Sequence, residues 1–148
     1  MYSLEEMDEI KTKILKYIMY KKRTEKEIRQ KFAESSSELL EDAIEYLKEL
    51  GYINDEDYVN RSIREYMALK NLSVKELIYK LQSKGVTKST IEDYVSFHKE
   101  ELVEYELKSA KNIIIKKQNS VEKEEIDNYL YKKGYLDETV KLAHEALE

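Results

Sequence analysis

The chain has 148 residues, of which 26 are Lys or Arg and 31 are Asp or Glu, giving a formal net charge of −5. That balance excludes a protein that coats nucleic acid by bulk attraction and leaves room only for local basic patches. There is no cysteine, which removes disulfides, thiolate nucleophiles and thiolate metal sites together and suits a reducing compartment.

There is no proline, and the only glycines are Gly51, Gly85 and Gly134, so little interrupts a helix from within. Apolar residues recur at intervals of three and four among the charges, the mark of folded amphipathic helices rather than of a disordered polyampholyte. The start, Met1 to Glu9, is acidic and has no apolar signal core, and no window approaches membrane-spanning length. The expectation is a cytoplasmic protein with no membrane contact.

In chain order the pattern predicts helices near 5–21, 24–33, 37–50, 55–69, 73–84, 88–97, 100–117, 122–133 and 137–147. The first carries Ile10, Ile14, Tyr17 and Ile18 on one face. Thr24 then sits at an N-cap with Glu27 three residues on, a capping box, followed by Ile28 and Phe32 one turn apart. Ala33 to Ser37 forms a turn, and Ser36 or Ser37 caps a helix bearing Leu39, Leu40, Ala43, Ile44 and Leu47. Gly51 ends that helix, and Asn54 or Asp55 caps the next.

The same unit then returns. Ser73 and Glu76 form a second capping box ahead of Leu77 and Leu81, and Glu122 opens a third copy ahead of Ile126 and Leu130. The spacing between copies, 24 to 73 to 122, is 49 residues both times. In the third copy Ser120 is the alternative cap. The second and third copies share a stop, Lys84-Gly85 and Lys133-Gly134, in which Gly takes the left-handed conformation and Lys suits the negative helix end. Between the second and third units only Ser96 to Lys99 offers a bend. The fold class is therefore all-α: three tandem three-helix repeats, at 1–52, 53–99 and 100–148, forming an elongated array.

The segment Leu47-Lys-Glu-Leu-Gly51-Tyr52-Ile53-Asn54-Asp55-Glu56-Asp57-Tyr58-Val59, followed by Glu76-Leu77, Leu81, Lys84-Gly85-Val86 and Ile91, resembles the RecX family of bacterial recombination regulators. The similarity runs over residues 10 to 147 and is tightest from Leu47 to Val95. It implies a slender, curved array that binds the RecA recombinase filament on DNA and lies along its groove. It also implies modulation, mainly inhibition, of ATP hydrolysis and strand exchange in recombination, DNA repair and the SOS response. The partner implied is the RecA filament, with single-stranded DNA inside it as a further contact. The family is not enzymatic, so no catalytic residue and no cofactor carries over, and a monomer is expected. The chain departs from the family at Met67 to Ser73, where many members have a Gly-rich or Pro-containing basic connection, and at Ala143 and His144, where an apolar residue is expected.

The residues themselves supply little catalytic chemistry. His98 and His144 read as isolated, neither belonging to a metal-binding pair, and the carboxylates sit among lysines at helical spacing as a solvated face. The thirteen tyrosines suit the rim of a thin helical core, ring inward and hydroxyl outward, with base stacking as the alternative.

Basic residues recur where the first helix of each unit ends: Lys21, Lys22 and Arg23, then Lys70, then Lys116 and Lys117. Two readings stand, a row that tracks phosphates or an acidic partner, and cations placed at helix C-termini for stability alone. Arg61 and Arg64, two of only four arginines, share a face, although Asp57 or Glu65 is within helical reach of Arg61. Two other functions compete with the recombinase regulator. One is a helical adaptor holding another protein on its concave face. The other is a small helix-turn-helix transcription factor, for which only Arg29-Gln30 resembles a recognition helix.

Overall fold

The computed structural model describes all 148 residues. It contains α1 (Leu4–Tyr20), α2 (Glu25–Lys31), α3 (Ser37–Glu49), α4 (Asp55–Leu69), α5 (Val74–Ser83), α6 (Lys88–Phe97), α7 (Lys99–Lys117), α8 (Lys123–Lys132) and α9 (Asp137–Ala146), and no strand. No helix is long and apolar enough to cross a membrane.

Local chemistry sets the helix starts. Thr24 and Ser73 each accept the backbone N–H three residues on, while Glu27 and Glu76 accept from Thr24 and Ser73 in return, so both boxes close. Ser36 caps α3 and Asn54 caps α4 through their side chains. The third copy differs from the alternative offered by its sequence: Glu122, not Ser120, is the N-cap of α8, and no side chain bonds there. Ser120 turns back to the Lys117 carbonyl at 3.4 Å. The bend expected around Ser96 to Lys99 is a single residue, His98, between α6 and α7.

The buried apolar residues fall into three clusters. The first joins Ile10 and Ile14 of α1, Ile28 of α2, five residues of α3 from Leu39 to Leu47, and Ile53. The second joins α4, α5 and α6 through Val59, Ile63, Leu77, Leu81 and Ile91, and adds Leu102 and Tyr105 of α7. The third joins Ile113 and Ile114 of α7 to Ile126, Leu130, Val140 and Ala143. Ile28, Leu81 and Leu130 are buried to 1% exposure or less, and each such side chain contributes about 1.5–3 kcal/mol over an exposed one.

Packing thus runs across the borders read at 52/53 and 99/100. Ile53 packs with the first cluster, and α7, about 28 Å long by its 19 residues, is long enough to serve both the second and the third. The end of the chain is also better packed than Ala143 and His144 suggest: Ala143 is fully buried, and its small side chain lets α9 lie close along α7.

Two joints link the short middle helices end to end. Thr24 Oγ1 donates to the Lys84 carbonyl at 2.6 Å, and Ser73 Oγ donates to the Lys133 carbonyl at 2.6 Å. Each hydroxyl therefore caps its own helix and satisfies the exposed carbonyl at the end of the next middle helix. The N-terminus of α2 meets the C-terminus of α5, and the N-terminus of α5 meets the C-terminus of α8, with opposite dipole ends in contact.

The glycines belong to the same device. Gly85 (φ +91°) and Gly134 (φ +93°) each follow a C-cap in the left-handed region, and Val86 and Tyr135 donate back to Leu81 and Leu130. A Cβ on Gly85 would lie 2.4 Å from Lys26 Cδ, and one on Gly134 2.8 Å from Lys75 Cβ. A lysine stem thus covers each bare glycine, and the two contacts repeat at the 49-residue spacing.

Candidate interaction surface

The cations expected to form a surface lie at the C-terminal ends of the long helices, and the structure treats them differently. Lys21 is the exposed C-cap of α1. Lys22 reaches Glu65 Oε2 of α4 at 3.4 Å, tying the end of one long helix to the next. Arg23 lies with its guanidinium 4.0 Å over the Tyr17 ring, and its Nε is buried without a hydrogen-bond partner. Lys70 is the exposed C-cap of α4, and its carbonyl accepts the Tyr105 hydroxyl at 2.6 Å. In the third unit Lys116 is exposed, while Lys117 Nζ sits 4.3 Å from the Tyr129 ring.

Arg61 makes the intrahelical pair that its spacing allows, Nε to Asp57 Oδ2 at 3.2 Å. Arg64 is exposed and has no carboxylate within ion-pair distance. The two therefore share a helix face without sharing a role.

An aromatic partner for a cation recurs in each unit. Lys31 lies 5.7 Å from the Tyr17 ring and Lys80 5.5 Å from the Tyr66 ring, a pair repeated at 49 residues. The third unit exchanges the positions: residue 115 is Ile and residue 129 is Tyr, approached by Lys117 and, at 5.6 Å, by Lys133. Such contacts hold a cation in place without neutralising it, so the charge remains available to an anionic partner.

Sequence reasoning missed the residues that complete the joints. At the first, Asp55 Oδ1 accepts the Glu25 N–H at 3.0 Å, Lys48 bonds Glu25 at 2.9 Å, and Arg29 bridges Glu25 and Glu41. Burial raises the Asp55 carboxyl above its ordinary range, opposed by the Glu25 N–H. Burial pushes Glu25 the same way, but hydrogen bonds from Lys48 and Arg29 outweigh it and hold Glu25 below the ordinary range. At the second joint Glu106, 2% exposed, accepts from Val74 N at 3.0 Å, Thr139 Oγ1 at 2.7 Å and Leu136 N at 3.5 Å. Nothing local distinguishes Glu106 from its solvated neighbours, because its donors lie about thirty residues away.

The histidines also have partners. His144 is not isolated: its Nε2 lies 2.6 Å from Asp127 Oδ1, linking α9 to α8. His98 stacks on Tyr94 with ring centroids 4.0 Å apart. No group of three or more His, Asp or Glu side chains is placed to hold a metal ion.

No family model matches the chain. It is similar to the regulatory protein RecX of Finegoldia magna, 33% identical over 118 residues that cover 78% of this chain and 56% of that protein. It is also similar to RecX of Clostridium botulinum, 34% identical over 109 residues (72% of this chain, 49% of the relative). The Staphylococcus carnosus protein is 29% identical over 140 residues (90% and 52%). The chain spans about half the length of the curated relatives it matches. Its fold is that of the crystal structure of RecX from Lactobacillus salivarius, with a TM-score of 0.82 over 98% of both chains at 20% identity. A second RecX crystal structure gives 0.81 at 21% identity, over 95% of this chain and 73% of the other. With the sequence shared over most of its length and the fold shared throughout, the chain belongs to the RecX family of regulatory proteins.

Proposed function

We propose that this protein is a non-enzymatic regulator of homologous recombination and DNA repair, which binds the RecA filament on DNA and lowers its ATP hydrolysis and strand exchange. On this reading the three units, divided near residues 52 and 99, form an elongated, curved array along the filament groove, and the protein acts in the cytoplasm as a monomer. The observation that carries the reading is the recurrence of cations without a carboxylate partner where the first helix of each unit ends: Arg23 over Tyr17, the exposed Lys70, and Lys117 over Tyr129. Lys21, Lys22, Lys116, Arg61 and Arg64 are proposed to flank that row. A partner with a repeating acidic or phosphate surface is the natural complement of repeated cations.

A transcription-factor reading loses support at the residue that motivated it. Arg29 makes a bidentate contact with Glu41 at 2.7 and 3.0 Å, so its fork is not free to read a base edge. Co-sedimentation with RecA filaments assembled on single-stranded DNA tests the proposal. The protein is expected in the pellet, and a variant with Lys21, Lys22 and Arg23 changed to Ala is expected to shift to the supernatant. Failure of the unaltered chain to pellet at any ratio contradicts the reading.

A further inference from the structure

The second joint opens into a groove between α5 and the C-terminal end of α8, lined by Lys75, Lys80, Lys132 and Lys133 together with Tyr79 and Tyr131. Its one carboxylate, Glu76, is taken up by the capping box, accepting the Ser73 N–H at 3.0 Å. None of the four lysines forms an ion pair; those of this protein involve Lys11, Lys13, Lys22, Lys48, Lys88, Lys141, Arg29, Arg61, His144 and the N-terminal amine.

The first joint is an internal control. The groove beside Gly85 sets Glu25, Asp55 and Glu56 against Lys26, Arg29 and Lys48, with Arg29 and Lys48 bonded to Glu25, so it is neutral. The same hydroxyl, carbonyl and glycine work there without surplus charge. Nor does the joint need aromatics, since the residues 49 positions before Tyr79 and Tyr131 are Gln30 and Gln82. Lys132 and Lys133 suit the C-terminal end of α8, and Lys75, like Lys26 at the first joint, covers its glycine; the second groove differs in that no carboxylate is paired with these charges.

Tyr79 is 71% exposed in the middle of this charge, and Tyr131 is 41% exposed with its hydroxyl fixed to Asp137 Oδ1 at 2.8 Å. Lysines without carboxylate partners beside open tyrosine faces are what a single strand needs: point charges for successive phosphates and flat surfaces for unstacked bases. We propose that the α5–α8 groove is a binding site for single-stranded nucleic acid, with the four lysines on the backbone and a base stacked on Tyr79. The site goes beyond the recombinase reading, because it acts on free strand with no recombinase present.

The test is fluorescence anisotropy of the full chain with a labelled oligothymidylate of about twenty nucleotides, between about 50 and 200 mM salt. Four phosphate contacts give a log–log salt slope of about −3, at roughly −0.7 per contact. A variant carrying Lys75→Met, Lys132→Met and Lys133→Met keeps the stem over Gly134 and should bind more weakly, with a slope shallower by about two. Tyr79→Ala should weaken binding about fivefold or more at unchanged slope, and Tyr79→Phe should restore it. Circular dichroism melts matching the parent keep these losses from being unfolding. Absence of binding at the lowest salt, a slope unmoved by the lysine variant, or equal competition by polyglutamate with no dependence on Tyr79 overturns the proposal, the last pointing to an acidic protein segment.

Discussion

The two joints share one backbone device and differ in the carboxyl group that completes it. At the first, Asp55 opens α4 and is only half-buried, beside a surface network of Arg29, Lys48 and Glu25. At the second, Glu106 comes from the middle of α7 and is enclosed by three donors, while Tyr105 next to it bridges the Lys70 carbonyl and the Leu72 N–H. The repeated part is what any two middle helices need when they meet end to end. The part that varies decides how strongly each joint depends on a single residue.

The largest effect should come from the enclosed carboxyl. Glu106→Ala leaves the half-buried Val74 N–H and the buried Thr139 hydroxyl without their acceptor and should cost about 3 kcal/mol in urea unfolding, whereas Asp55→Ala should cost about 1 kcal/mol. Equal costs would break the comparison.

Next come the glycines. Gly51 and Gly85 both have positive φ, but nothing lies within 4 Å of a Cβ at Gly51. Gly51→Ala should cost about 1 kcal/mol from the backbone alone. Gly85→Ala should cost roughly 1 to 2 kcal/mol more, because the Lys26 stem must also move. A Lys26→Ala background that removes the excess would tie it to that contact.

Ser73→Ala and Thr24→Ala each remove a cap and the donor to a carbonyl across the joint, for about 1 to 2 kcal/mol, as thermal melts can measure. The smallest effect has the opposite sign. Glu122→Ser creates Ser-x-x-Glu with Glu125 at a helix start that has no side-chain cap, and should raise stability by about 0.5 to 1 kcal/mol.

These contrasts also explain what could be read beforehand. Helix limits were legible because caps and stops are local: Thr24 with Glu27, Ser73 with Glu76, and Gly85 after Lys84 lie within a turn of one another. The carbonyls that receive the two hydroxyls are sixty residues distant, so the capping residues were visible and their second task was not. The irregular copies had the same cause. Glu122 and the Ala33 to Ser37 turn stand at the two helix ends of the row that take part in no joint, so neither a hydroxyl cap nor a Lys-Gly stop is required there. Within the candidate surface, Arg61 with Asp57 was legible from i, i+4 spacing. Arg23 over Tyr17 depends on the path of the turn after α1, and the paired groove tyrosines on how helices face each other, neither of which periodicity reports.

The most direct test of the regulatory account is a titration of RecA's ATP hydrolysis on single-stranded DNA. Substoichiometric protein should depress the rate, and the Lys21, Lys22 and Arg23 to Ala variant should need a markedly higher ratio for the same effect. A rate unchanged at every ratio of the unaltered protein would contradict the account.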